Sequence, residues 1–175
     1  TILRELAKFV DRGMVYRGKR PVFWCISCET ALAEAEVEYD DHVSPSIYVK
    51  FSLLNVPDWL KTTVGNRKVS FVIWTTTPWT LVANQAVCLH PEFDYATVNV
   101  GESESWIIAK ACLPLLASAL NLPDLVATAT YAGARFENLM CRHPLRSSFG
   151  DELGKGKSSV VILGRHVALE QGTGC

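Results

Sequence analysis

Among the first dozen residues the apolar positions are Ile2, Leu3, Leu6, Phe9 and Val10. That is the spacing of one helical face, and Gly13 is placed to stop it, so an amphipathic helix is expected over 2–12. Two short apolar runs follow, MVY at 14–16 and PVFW at 21–24, and read as strands around an RGKR turn at 17–20. Residues 33–39, AEAEVEY, alternate strictly, with three glutamates facing one way. Alanine and glutamate favour helix by propensity. A period of two outranks propensity, so this segment too is expected to be a strand.

From Ser46 onward the pattern is mostly that of strands. SIYVKFSLL, KVSFVIWTT, NQAVCLH, YATVNVG, SWIIAK, LVATATY and SSVVIL are short runs separated by turn-rich segments. One helix is expected within them at 113–120, with Pro114 near its start and Asn121 and Pro123 ending it. The predicted class is α+β: a barrel-like domain of short, mostly antiparallel strands with one or two helices, preceded by a helix and a short hairpin stem. The expected division is a stem over 1–45 and the β-rich domain over 46–175. Neither internal repeats nor low-complexity tracts interrupt it.

The 175 residues suffice for one domain with a core and a short appendage. With 49% hydrophobic and 20% charged residues the chain has the composition of a globular protein. A net charge of −1 leaves no global field to recruit nucleic acid. RGKR is the only compact basic run, and a solvated turn is its plainer reading. The six cysteines, at 25, 28, 88, 112, 141 and 175, lack a disulfide-framework pattern and favour free thiols in a reducing compartment. No apolar stretch approaches the ~20 residues of a membrane span, and a soluble protein is expected.

Three motifs invite chemistry. Cys25 and Cys28, two residues apart on a knuckle, supply half of a tetrahedral zinc site, with plain thiols and a redox pair as the alternatives. Gly154-Lys155-Gly156-Lys157-Ser158 resembles a phosphate loop, but its spacing fails and a strand follows, so a flexible basic loop is expected. The four histidines (42, 90, 143 and 166) have no nucleophile at a recognisable spacing and read as turn or core residues, as Asp40-Asp41 reads as a solvated turn. The third motif is WTTTPWT at 74–80. Pro78 cannot donate to a sheet ladder. The strand therefore ends there, leaving hydroxyls and free backbone amides at a strand-to-loop transition. Strand propensity alone and a ligand site both account for the threonines, and Asn84 adds an amide that donates and accepts.

WTTTPWTLVANQAV, together with TALAEAEVEY, GMVYRGKRPVFWC and HVALEQGTG, resembles the editing insertion of the isoleucyl-tRNA synthetases, in the right order along essentially the whole chain. Valyl and leucyl relatives typically read TTRP where Thr77 stands here, and Val82 replaces a usual proline. HVSPSIYVKF and PVFW look closest to bacterial and organellar forms. The resemblance implies that Thr75, Thr76, Thr77, Thr80 and Asn84 line a pocket for the 3′ end of tRNA(Ile) carrying valine. The reaction it implies is hydrolysis of the mischarged ester, with isoleucine excluded by size. It further implies a monomeric, cytoplasmic parent, or one in the mitochondrial matrix if organellar, whose ATP and Mg serve a synthetic site elsewhere. The family's VHxAPxHG continuation, with an aspartate that anchors the substrate amine, would follow Cys175, so the isolated chain is expected to be inactive. Zinc at Cys25 and Cys28 would need a second pair further downstream. The competing reading is a non-catalytic tRNA-binding barrel and zinc module.

Overall fold

The computed structural model describes residues 2–145, 158–170 and 172–175. The chain forms two compact units, one ending at Val43 and the other beginning at Ser44.

In the first unit the predicted helix is present as α1, Ile2–Asp11. A Glu5–Lys8 ion pair supports it, and Gly13 closes it at φ +68°. The two strands expected around RGKR are not formed as such. Met14 instead completes the helix end, its N–H bonding the Phe9 carbonyl. The hairpin lies one step further along, with β1 (Phe23–Cys25) antiparallel to β2 (Thr30–Leu32). Its turn is the cysteine knuckle rather than the basic run. AEAEVEY is also not a strand. The Glu36 carboxylate accepts the Ala33 N–H at 2.7 Å and curls residues 34–36 into a 3-10 turn. With almost every residue of the segment exposed, no buried face enforces the period of two.

The second unit is built on one eight-stranded sheet. Its strands are β3 (Ile47–Leu53), β4 (Lys68–Thr75), β5 (Ala86–Leu89), β6 (Asp94–Val100), β7 (Glu104–Ala109), β8 (Ala127–Ala132), β9 (Met140–Arg142) and β10 (Ser158–Leu163). They lie in the order β5-β10-β9-β3-β4-β7-β6-β8. Neighbours run antiparallel except β5 with β10 and β4 with β7, so the mostly antiparallel α+β class holds. The seven runs read from the sequence are all strands. The eighth, β9, is three residues long and too short to show a period.

Helix α3 (Leu113–Ala119) occupies the predicted segment and closes through Asn121 at φ +52°. A further helix, α2 (Asp58–Val64), escaped the sequence reading. It buries Leu60 and Val64, four residues apart. The core gathers on Phe136, in the 3-10 turn after β8. Its ring meets Trp59, Phe71, Tyr95 and Tyr131 edge-on at 5.5–6.2 Å. Gly133 opens that turn because its Cα lies against the His90 carbonyl and the Tyr95 ring, leaving no room for a Cβ.

Candidate functional site

Strand β4 carries the chain from this core to the threonines. Val69, Phe71 and Val72 are fully buried, and exposure increases toward Thr75. Thr75 is the last residue of the ladder, opposite Ile47. Beyond it Pro78 opens a 3-10 turn, Pro78–Ala83, because it has no N–H to give the sheet and its fixed φ suits a first helical position. The carbonyl of Thr76, past the ladder, accepts the Ser44 hydroxyl at 2.9 Å.

The turn sorts the threonines into two kinds. Thr75 Oγ1 accepts the Thr77 N–H at 3.1 Å and meets Thr77 Oγ1 at 3.2 Å. Thr77 Oγ1 meets Thr80 Oγ1 at 3.4 Å, and Thr80 Oγ1 donates to the Thr77 carbonyl at 2.7 Å. Three hydroxyls thus hold one another and fix the local backbone. Thr76 is exposed, and its hydroxyl has no hydrogen-bond partner among the described residues. Of the four threonine hydroxyls it is the one the turn leaves unbonded among the described residues.

Two buried side chains hold the turn from behind: His143, expected only as a turn or core histidine, and Ser159, which the sequence did not mark. His143, 1% exposed, accepts the Leu145 N–H on Nδ1, so its Nε2 carries the proton and donates to the Leu81 carbonyl at 2.8 Å. Ser159, on β10 and fully buried, donates to Asn84 Oδ1 at 2.8 Å, while Asn84 Nδ2 donates to the Ala86 carbonyl at 2.9 Å. Each end of the Asn84 amide thus makes one bond within the protein and keeps one donor or acceptor position besides. No local signal marks His143 or Ser159, because their partners lie 62 and 75 residues away. Asn84→Ala would strand the Ser159 hydroxyl, a loss of about 1–3 kcal/mol. We expect a fall in Tm of roughly 2–12 °C by calorimetry, at about 2–4 °C per kcal/mol.

The C-terminal GTG joins the same region. Gly172, at φ +76°, lies against Trp74, where a Cβ would stand 3.4 Å from the ring, and the Thr173 carbonyl accepts the Ala109 N–H at 3.0 Å. Two motifs a hundred residues apart thus meet beside the end of β4.

Each of the remaining candidates has its own local surroundings. The Cys28 N–H reaches Cys25 Sγ at 3.3 Å. This bond, with further ones from Cys28 and Ser27, holds the Cys25 thiol below its ordinary pKa. Among the described residues no group of three or more His, Cys, Asp or Glu side chains is placed to hold a metal. The pair therefore falls short of the four ligands a structural zinc needs, and the expected zinc finds no support. Cys88 Sγ lies 3.9 Å from His166 Nε2 beside a cavity of about 480 Å³, but burial pushes its pKa up, the wrong direction for a nucleophile. His90 stacks on Phe93, His42 is exposed, and Asp40 bonds the Asp41 N–H as a local turn. RGKR is exposed throughout, and Gly154-Lys155-Gly156-Lys157 lies outside the described residues, with Ser158 opening β10. No helix among the described residues is long and apolar enough to cross a membrane.

Known proteins resemble this chain at both levels. Its sequence is 50% identical to the isoleucine–tRNA ligase of Syntrophotalea carbinolica over 173 residues, 98% of this chain and 18% of that protein. It is 48% identical to the ligase of Moorella thermoacetica over 174 residues, 99% of this chain and 17% of that protein. The chain thus spans less than a fifth of the length of these curated relatives. Among solved structures, GlLeuRS-CP1 superposes with a TM-score of 0.61 at 20% identity, covering 74% of this chain and 53% of that one. The editing domain of P. falciparum cytosolic leucyl-tRNA synthetase gives 0.54 at 17% identity, covering 75% and 59%. At these identities the likeness is one of fold. The family model for class I tRNA synthetases (I, L, M and V) matches residues 1–140. The chain belongs to the class I tRNA synthetases of the isoleucyl, leucyl, methionyl and valyl group.

Proposed function

We propose that this chain is the editing module of an isoleucine–tRNA ligase and that its threonine turn handles the ester of tRNA(Ile) wrongly charged with valine. The observation that carries the reading is the exposed hydroxyl of Thr76, without a partner among the described residues, beside three mutually bonded hydroxyls on a turn anchored by His143. Near-half identity to isoleucine–tRNA ligases and the fold of leucyl editing domains support it.

The chemistry asked of such a site is modest. Water attacks the ester carbonyl, the bond to the ribose oxygen breaks, and the proton passes to that oxygen. No protein nucleophile is needed. The turn supplies positioning: the Thr76 hydroxyl donates to the ester or receives the water, while the Thr75–Thr77–Thr80 network keeps the backbone from shifting. A second site is needed because a synthetic pocket rejects a side chain one methylene smaller by only about 150-fold, a known figure for the isoleucyl enzyme itself rather than one derived from this structure. A pocket that admits valine and refuses isoleucine then removes the error.

The test is deacylation of Val-tRNA(Ile) by the full-length synthetase carrying Thr76→Ala. A slower rate with unchanged stability supports the reading, and an unaltered rate sinks it.

A further inference from the structure

On β3, Tyr48, Lys50 and Ser52 alternate onto one face of the sheet, opposite the buried Phe51. The register extends that face to both sides. Ser52 stands opposite Ser70 of β4 and Arg142 of β9, and Lys68 is two residues from Ser70 on the same strand. Three cations therefore share one face, and all three are exposed. From ~4.8 Å between strands and ~3.3 Å per residue, their Cα atoms are spaced by roughly 8 Å from Lys50 to Arg142 and roughly 12 Å from Lys68 to Arg142. Together with Tyr48, Ser52 and Pro144 they line a groove of about 330 Å³.

The charge in this groove is only partly cancelled: among the described residues three cations share one carboxylate, Glu104. Elsewhere Lys61 pairs with Asp58 and Arg165 with Glu92. Arg142 has no ion pair among the described residues, and Lys68 makes none within 4 Å but stands opposite Glu104 in the β4–β7 ladder, close enough for the lysine's charge to help hold that carboxyl below its ordinary pKa. The one carboxylate here, Glu104, bonds Lys50 at 2.8 Å and accepts the Trp106 indole N–H at 2.9 Å, which holds Lys50 over the Trp106 ring. Tyr48 marks the end nearest the threonine turn, because its ladder partner Trp74 immediately precedes Thr75.

We propose that this face is the path of an RNA phosphate backbone, with Lys50, Lys68 and Arg142 each meeting phosphate. In a chain of net charge −1 such a local cluster is the electrostatic footprint of an anionic partner. The groove's continuity with the end of β4 makes an RNA strand the occupant, leading its 3′ end toward Thr76. This names the partner surface of the editing reading and rests on that reading for the choice of RNA as the anion.

The test is binding of a fluorescent, uncharged tRNA(Ile) transcript to the 175-residue chain, measured across salt concentrations. Lys68→Gln and Arg142→Gln should each weaken binding by roughly 3–10-fold near 0.1 M salt, and each should lower the salt slope by about one. Glu104→Gln should tighten binding. Lys61→Gln, a charge change of the same sign on α2, should leave it as it is, and unchanged melting curves exclude unfolding as the cause. A Lys68→Gln/Arg142→Gln double variant with wild-type affinity and slope overturns the proposal, as does an equal effect from Lys61→Gln. Binding of a heparin oligosaccharide as tight as that of the transcript overturns the assignment to RNA. Val-tRNA(Ile) deacylation is read separately: no effect of Thr76→Ala there, with the groove effects intact, fails the editing reading alone.

Discussion

Phe136→Ala should lower the stability of the β-rich unit by about 3–5 kcal/mol, the range for emptying a fully buried phenylalanine site. Its ring is the common neighbour of Trp59 from α2, Phe71 from β4, Tyr95 from β6 and Tyr131 from β8. These neighbours come from four different elements, so no single movement fills the cavity. Partial relaxation is also resisted from outside. The Arg135 guanidinium lies 4.4 Å from the Trp59 ring centre, and Thr63 bonds the Tyr131 hydroxyl at 2.7 Å. The loss is a large share of the roughly 5–15 kcal/mol by which a domain is stable. Thermal unfolding should show a Tm lower by roughly 6–20 °C, at about 2–4 °C per kcal/mol. A change under about 1 kcal/mol would mean that Phe136 is not the centre of this core.

The second large effect is expected at the threonine turn and should leave stability alone. Thr76→Ala removes an exposed hydroxyl with no hydrogen-bond partner among the described residues, and the Ser44 contact survives because it uses the Thr76 carbonyl. Melting should therefore shift by less than about 0.5 kcal/mol. If that hydroxyl positions the ester or the water, hydrolysis of Val-tRNA(Ile) should fall by about 10-fold, the worth of one well-placed hydrogen bond near 1.4 kcal/mol. The other threonines cannot give so clean a result. Thr77 bonds both Thr75 and Thr80, so its removal would disturb the turn and the chemistry together.

How far the sequence reached depended on the range of the interaction. Strands such as SFVIW were legible because burial imposes a local pattern, and Gly13 and Asn121 marked helix ends because only a few residues adopt the backbone those ends require. AEAEVEY misled because its period of two had no buried face behind it. The Glu36 bond to the Ala33 N–H decided the matter locally. Helix α2 had its signals, an aspartate after Pro57 and Leu60 with Val64, but seven residues carry too little pattern to stand out. Pro78 correctly placed the threonines at a strand end. What it could not convey was the division between bonded and unbonded hydroxyls, or the bonds of Asn84 with Ser159 and Ala86. The hydroxyl division is local to residues 75–80 but follows from the way the turn closes, while the Asn84–Ser159 bond depends on β10, which reaches the turn only in three dimensions. The cationic face was equally hidden, because Lys50, Lys68 and Arg142 are scattered along the chain and join only through strand register.

Removal of the wrong amino acid by this module is tested most directly by comparing two esters. Val-tRNA(Ile) and Ile-tRNA(Ile) are incubated separately with the full-length synthetase carrying this segment, and the deacylation rates are compared. The valine ester should be hydrolysed faster by about 10–200-fold, the range available from one methylene in a shaped pocket. Equal rates, or preferential loss of the isoleucine ester, would contradict the account.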